Sequence, residues 1–270
     1  EWDDEHVFQT ARNTLIVILI KIVIEDYINH ITPFHFKLFV EPGIGVREKW
    51  YRQNWMSIEF DLLYRWHPLV PTELVVGGER RAAEGVLWQT DVVPQKGLAA
   101  LFDEASRQPS TEIGIRNTAK FLLDVEEHTI AIGRTAALAG FNEYRHACGY
   151  PRLRSFRDFS ADPEVGRALA ARYRSVDDVE LYVGLFAEDV RPNSALPTVM
   201  GTMVGVDAFS QALTNPLLTK SVFRASTFSK AGMRAIKRTS RLQDLVDRNT
   251  PGEATEPLVT VPRTDAAAPR

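Results

Sequence analysis

The stretch Ile58-Glu59-Phe60-Asp61-Leu62-Leu63-Tyr64-Arg65-Trp66-His67-Pro68-Leu69 limits the possible folds more than any other. Ser57, Asp61 and Arg65 recur every four residues and, Glu59 aside, the side chains between Trp55 and Trp66 are otherwise apolar or aromatic. The pattern predicts a helix from about Arg52 to Trp66 whose polar stripe is too narrow for anything but a core position. Asp61 and Arg65, one turn apart, are placed to pair. Pro68 disfavours the α region for His67 and offers no amide donor, so the helix is expected to end there. Tyr64 and His67 are then expected on one face, a turn apart. A histidine at the end of a greasy helix, with a phenol one turn before it, suits a metal or haem beside a redox-active tyrosine. A structural histidine is the plain alternative, and the spacing leaves both open.

Burying such a helix needs a large core, and apolar residues make up 44% of the 270. A net charge of −3 points to neither nucleic acid nor an acidic surface. The single cysteine, Cys148, excludes an internal disulfide framework and a Cys-rich metal site, and fits a reducing compartment. The six histidines form no His-Glu-x-x-His or His-x-His pair, so zinc hydrolase chemistry has no support. There is no Gly-x-Ser-x-Gly elbow. Gly43-Ile44-Gly45 lacks the third glycine and the strand–turn–helix setting of a phosphate loop. Arg80-Arg81 and the basic positions from Lys220 to Arg241 read as solvated surface. Ser210 sits in an apolar helix, where a serine usually bonds back to a carbonyl one turn earlier; a place on a pocket wall is the alternative.

From about Glu5 to Ile31 the chain reads as a helix apolar on nearly every side, which predicts burial in a large protein; Thr32-Pro33 stops it. Its greasiest run, Leu15 to Ile24, is interrupted or bounded by Lys21, Glu25 and Asp26 and is too short to span a membrane. Leu74-Val75-Val76 before Gly77-Gly78 reads as a strand and turn. Helices are expected over 97–107, over 116–138 with a break near Gly133, and over 141–147, ended by Gly149 and Pro151. Three more are expected over 162–174, 176–188 and 199–213, the last stopping before Asn215-Pro216. Residues 249–270, rich in Pro, Thr, Ala and charge, read as a disordered tail. That leaves 1–248 as one mainly α catalytic region without internal repeats. The opening Glu1-Trp2-Asp3-Asp4-Glu5 has neither an initiator Met nor a basic leader, and reads as part of a longer protein.

Five segments carry a resemblance: Lys21 to Tyr27, Glu59-Phe60 with Leu63 to Leu69, Phe141 to Arg145, Glu180-Leu181-Tyr182, and Arg191 to Ser194. In order and spacing they resemble the cyclooxygenases (prostaglandin endoperoxide synthases) and related fatty-acid dioxygenases of the animal haem peroxidase superfamily. The similarity covers roughly residues 8–230. It implies the C-terminal part of a mainly α-helical haem peroxidase domain and a haem b cofactor. His67 matches the proximal haem-iron ligand. Tyr64 matches the tyrosine oxidised to a radical, which takes hydrogen from an unsaturated fatty acid before O2 adds. Tyr182 matches a tyrosine on the proximal side of the haem, and Tyr27 a tyrosine that hydrogen-bonds the radical tyrosine. Ile28 and Ile31 match residues lining the fatty-acid channel. Phe34 stands at its mouth, where cyclooxygenases have tyrosine. Phe60, Leu63 and Trp66 match residues around the reacting carbon. Ser210, after Phe209, matches the serine that aspirin acetylates.

The departures have consequences. The family's distal histidine, its glutamine partner and the arginine that pairs with the fatty-acid carboxylate all lie upstream of the matched region. Val206 falls where cyclooxygenases have a glycine that makes room for substrate. Arg65 replaces their usual histidine, as in fungal and plant dioxygenases. The resemblance therefore implies a hydroperoxide-forming dioxygenase rather than double oxygenation with ring closure. The implied partners are an unsaturated fatty acid and O2, with no nucleic acid. A cytoplasmic or membrane-peripheral location, with peripheral membrane contact, fits the chain. Two rivals stay open. A haem peroxidase that does not oxygenate lipid would tolerate loss of Tyr64, and a haem-free helical protein binding fatty acid or a partner would show no haem absorption.

Overall fold

The computed structural model describes residues 2–32, 38–49, 51 and 55–250. Phe34 and residues 251–270, nearly all of the expected tail, lie outside the described residues. Asn249, where that tail was expected to begin, is the last residue of a helix.

Helix α1 (Asp4–Ile22) starts where Asp3 accepts the His6 amide at 2.8 Å, and Asp4 and Glu5 place negative charge in its first turn. The helix then widens into a π segment, Val23–Ile28, and closes with the turn Asn29–Ile31. Widening frees carbonyls, and the Asn29 amide takes up those of Ile24 and Glu25 at 3.3 and 3.0 Å. The whole run Asp4–Ile31 is long and apolar enough, by length and composition, to cross a membrane, which the shorter run Leu15 to Ile24 is not. Its charged residues are nevertheless tied into the fold. Lys21 donates to the Ile236 carbonyl at 2.9 Å, Glu25 accepts from the Val40 amide at 3.0 Å, and Asp26 accepts from the Leu242 amide at 2.9 Å. Those bonds tie its C-terminal part to the rest of the fold. Burial is one-sided, however: Val17, Ile18, Ile24 and Ile28 are buried, whereas Phe8, Leu15 and Leu19 are each more than half exposed.

The predicted helix over Arg52 to Trp66 is corrected to six residues, α2 (Ile58–Leu63). Residues 55–57 precede it without helical structure, and residues 52–54 lie outside the described residues. Ser57 is the cause at one end: its Oγ accepts the Phe60 amide at 3.1 Å, a capping role that serine takes more readily than a helix interior. At the other end Trp66 Nε1 donates to the Leu63 carbonyl at 2.6 Å, occupying an acceptor that one more helical turn would use. Tyr64 leaves the helix at φ −95°, ψ 6°, and His67-Pro68-Leu69 forms a separate 3-10 turn. Tyr64 and His67 therefore do not share a helix face. The Asp61–Arg65 pair does form, at 2.7 Å.

Strands β1 (Glu73–Val76) and β2 (Glu79–Ala82) make an antiparallel hairpin around Gly77-Gly78, both glycines at positive φ as the turn requires. Helix α3 is Leu98–Ser106. Helix α4 (Leu123–Thr135) is shorter than expected, and Gly133 does not break it. Helix α5 (Phe141–Ala147) falls where expected, ended by Gly149 at φ 85°. Helices α6 (Pro163–Ala170) and α7 (Leu181–Ala187) are shorter than predicted because the 3-10 turn Val176–Asp178 and extended residues separate them. Helix α8 spans Thr198–Leu213, α9 Ala225–Lys237 and α10 Leu242–Asn249. The architecture is mainly α, as the sequence predicts.

The main core joins α2, α5, α7 and α8 through Leu62, Leu63, Phe141, Leu181, Leu185, Val199 and Met200. A second cluster joins α1 to α9 through Val17, Ile18, Ile24, Phe228 and Ile236. The segment Phe141 to Arg145 is a joint. Phe141 fills the core, Asn142 bonds the Leu153 carbonyl and Asp177, Tyr144 donates to Glu59 at 2.9 Å, and Arg145 pairs with the buried Glu188. Phe141 lies directly on Gly184, where a Cβ would fall 2.2 Å from its ring. Gly184→Ala is therefore expected to destabilise the fold by about 1–3 kcal/mol, seen as a lowered urea midpoint with an unchanged slope.

Candidate active site

His67 begins its 3-10 turn with the ring partly covered, and its Nδ1 lies 3.2 Å from Glu126 Oε1. Glu126 comes from the first turn of α4. It also receives the Thr118 hydroxyl at 3.1 Å and the Tyr182 hydroxyl. Tyr182 is buried on α7, its oxygen also 3.2 Å from the Arg65 carbonyl. Burial, and then the Glu126 hydrogen bond, push the Tyr182 phenol far above its ordinary range. The structure brings His67 and Tyr182 to one carboxylate, Glu126. Sequence reasoning passed over Glu126 because Asp124, Glu126, Glu127 and His128 together look like a solvated helix face. The structure exposes the other three and turns Glu126 inward. Thr129, about one helical turn after it, is fully buried and accepts Arg65 Nη1 at 3.0 Å.

Tyr64 lies in an aromatic stack. Its ring is 5.0 Å from Trp66, at 15° between planes, and 4.7 Å from Phe60; Tyr27 stacks on Trp66 at 6.3 Å. Burial and the nearby Asp207 carboxylate push the Tyr64 phenol up to about 12. Burial and the neighbouring Tyr64 phenol raise Tyr27 further. The hydrogen bond that the resemblance implies between Tyr27 and Tyr64 is not formed among the described residues; both rings instead stack on Trp66. The shift sets a pH window. Below pH 10 the Tyr64 phenol is protonated in folded and unfolded chains alike, and its contribution to stability is complete. Above pH 10 the unfolded chain ionises first, so stability is expected to fall as pH rises through about 12. Urea midpoints measured from pH 8 to 12 check this, and Tyr64→Phe should make the decline shallower.

Two cavities flank α8. One, of about 590 Å³, is walled by Leu19, Ile20, Val23, Phe60, Tyr64 and Ala208. The other, of about 340 Å³, is walled by Ile28, Ile31, Leu38, Val204, Val206 and Phe209. Both are mostly apolar, as a lipid site requires. The expected channel residues are thus divided between them: Phe60 and Tyr64 in the first, Ile28, Ile31 and Phe209 in the second. Leu63 and Ser210 are packed in the protein and line neither, and Trp66 and Tyr27 belong to the stack.

The animal haem peroxidase family model matches residues 1–260. The chain belongs to that family. It is 35% identical over 250 residues to prostaglandin G/H synthase 1 of Rattus norvegicus, covering 92% of this chain and 42% of that protein. To prostaglandin G/H synthase 2 of Equus caballus it is 31% identical over 254 residues, again spanning 42% of the relative. The chain therefore spans less than half the length of the curated relatives it matches. Among solved structures it resembles the fatty acid alpha-dioxygenase of Oryza sativa, with a TM-score of 0.81 at 17% identity over 96% of this chain and 53% of that one. It also resembles peroxidase A of Dictyostelium discoideum, with a TM-score of 0.70 at 19% identity over 95% of this chain and 52% of that one. At those identities the two structures speak for the fold.

Membership in a family of haem peroxidases implies haem binding, and the donor set fits it. Among the described residues no three His, Cys, Asp or Glu side chains gather as a metal-holding group. A histidine whose Nδ1 faces a carboxylate leaves Nε2 as the nitrogen that would hold a haem iron.

Proposed function

We propose that the protein oxygenates unsaturated fatty acids with O2 through a tyrosyl radical at Tyr64 and releases fatty-acid hydroperoxides. The observation that carries this reading is the Tyr64 phenol on the wall of an apolar cavity of about 590 Å³, three residues from a histidine whose Nδ1 faces a carboxylate. His67 Nε2 would hold the haem, which, once oxidised by a peroxide, would supply one-electron oxidising power. Tyr64 would lose its phenolic proton and one electron, and the phenoxyl oxygen would take a hydrogen atom from an allylic C–H bond. O2 adds to the carbon radical. The resulting peroxyl takes the hydrogen back from Tyr64, so the hydroperoxide forms and the radical is renewed. The Trp66 and Phe60 rings hold the phenol in place on a mostly apolar wall. Tyr182, through Glu126, steadies the histidine. The prostaglandin synthase relatives support a fatty-acid substrate.

Since the chain spans 42% of these relatives, the residues facing the opposite side of the haem are proposed to lie in sequence outside it. For this chain alone we expect weak haem binding; a strong histidine-ligated Soret band from it would contradict that. Oxygen uptake with linoleate by the haem-loaded, full-length protein tests the proposal. Absence of uptake overturns it.

A further inference from the structure

We infer that Glu126 is the positioning residue of the iron ligand: its carboxylate fixes His67 as the Nδ1–H tautomer and makes the ring a stronger donor through Nε2. The inference rests on the reading of His67 as the ligand. An ionised carboxylate only accepts hydrogen bonds. Thr118 brings a hydrogen to Oε1 and Tyr182 brings one to Oε2. The ring nitrogen 3.2 Å from Oε1 must then bring a third, which leaves the Nε2 lone pair for a metal. A hydrogen bond from a ligating histidine to a carboxylate raises its basicity, and such outer partners tune the potential of haem iron.

The clamp is also mechanically fixed. Thr129, three residues after Glu126 on α4, accepts a bond from Arg65, two residues before His67, and itself donates to the Val125 carbonyl at 2.7 Å. Helix and ligand turn are thus fastened together without using Glu126. That contact keeps the helix in place when the carboxylate is changed, so Glu126→Gln, nearly isosteric, is expected to fold. A Glu126 that served only as a partly covered ion pair would add little stability and would leave the iron untouched.

The experiment compares the haem-reconstituted full-length protein with its Glu126→Gln, Glu126→Ala, Tyr182→Phe and His67→Ala variants. The readouts are the iron–histidine stretch of the ferrous form by resonance Raman, the ferric/ferrous midpoint potential, and haem affinity. Glu126→Gln is expected to lower the stretching frequency and raise the potential. Tyr182→Phe should shift the potential and the stretch less than either Glu126 variant. Glu126→Ala should in addition weaken haem binding about 10–100-fold. An unchanged stretch and potential in both Glu126 variants, with the stretch lost in His67→Ala, overturns this inference and leaves His67 as the ligand. A stretch that survives His67→Ala overturns both.

Discussion

Tyr64→Phe is expected to reduce oxygen uptake with linoleate to the background of free haem, while the haem absorption and the oxidation of a small phenol by peroxide persist. The change removes one oxygen atom. The ring keeps its place 5.0 Å from Trp66 and 4.7 Å from Phe60, so packing is conserved and little stability is lost. The chemistry is not conserved. A phenylalanine has no O–H bond to break and re-form, and no other phenol takes its position. Tyr27 is the nearest substitute, but it lies behind Trp66 and is not on the wall of the cavity that Tyr64 lines. Uptake that continues at the wild-type rate would remove Tyr64 from the reaction and favour a peroxidase that does not oxygenate lipid. Loss of the small-phenol peroxidase activity as well would mean that the substitution had damaged the haem pocket, and the radical assignment would fail with it.

The residues that end elements were legible in the sequence. Gly149 stops α5, Asn215-Pro216 follow α8, and Gly77-Gly78 turn the hairpin, each by a local backbone preference that needs no tertiary context. The interior of the Ile58 to Leu69 stretch was misread for the opposite reason. Its apolar periodicity was compatible with a long helix, but a serine cap and an indole reaching back to Leu63 cut it to six residues. Tyr64 and His67 stay three residues apart in sequence but do not stack on a helix. Glu126 shows the sharper limit. It meets His67 across 59 residues, and nothing in its own segment separates it from the exposed Asp124, Glu127 and His128. A contact of that span is set by how α4 packs, through Thr129 and Arg65, and packing is what a single sequence expresses least directly. The exposed row of Phe8, Leu15 and Leu19 teaches the same lesson: the helix was read as buried, and this chain covers only one side of it.

His67→Ala should go further than the tyrosine variant and remove the histidine-ligated spectrum, oxygen uptake and peroxidase turnover together. On the proposed reading the cause is the loss of the nitrogen that would hold iron, since Nδ1 faces Glu126 and no cluster of alternative ligands exists among the described residues. The fold should tolerate the change. Glu126 keeps its Thr118 and Tyr182 donors, so no buried carboxylate is stranded, and Arg65 still fastens the turn to Thr129. The gap left by the ring is bordered by a carboxylate acceptor and has the size of an imidazole. Imidazole added to the solution is therefore expected to enter with one N–H toward Glu126, return its other nitrogen to the metal and restore the spectrum. Rescue by imidazole but not by 1-methylimidazole would show that the N–H facing Glu126 is required. A wild-type spectrum in His67→Ala without added ligand would place the iron elsewhere. Together the two variants separate the roles: one takes oxygenation away from an intact haem site, and the other takes the site away from both activities.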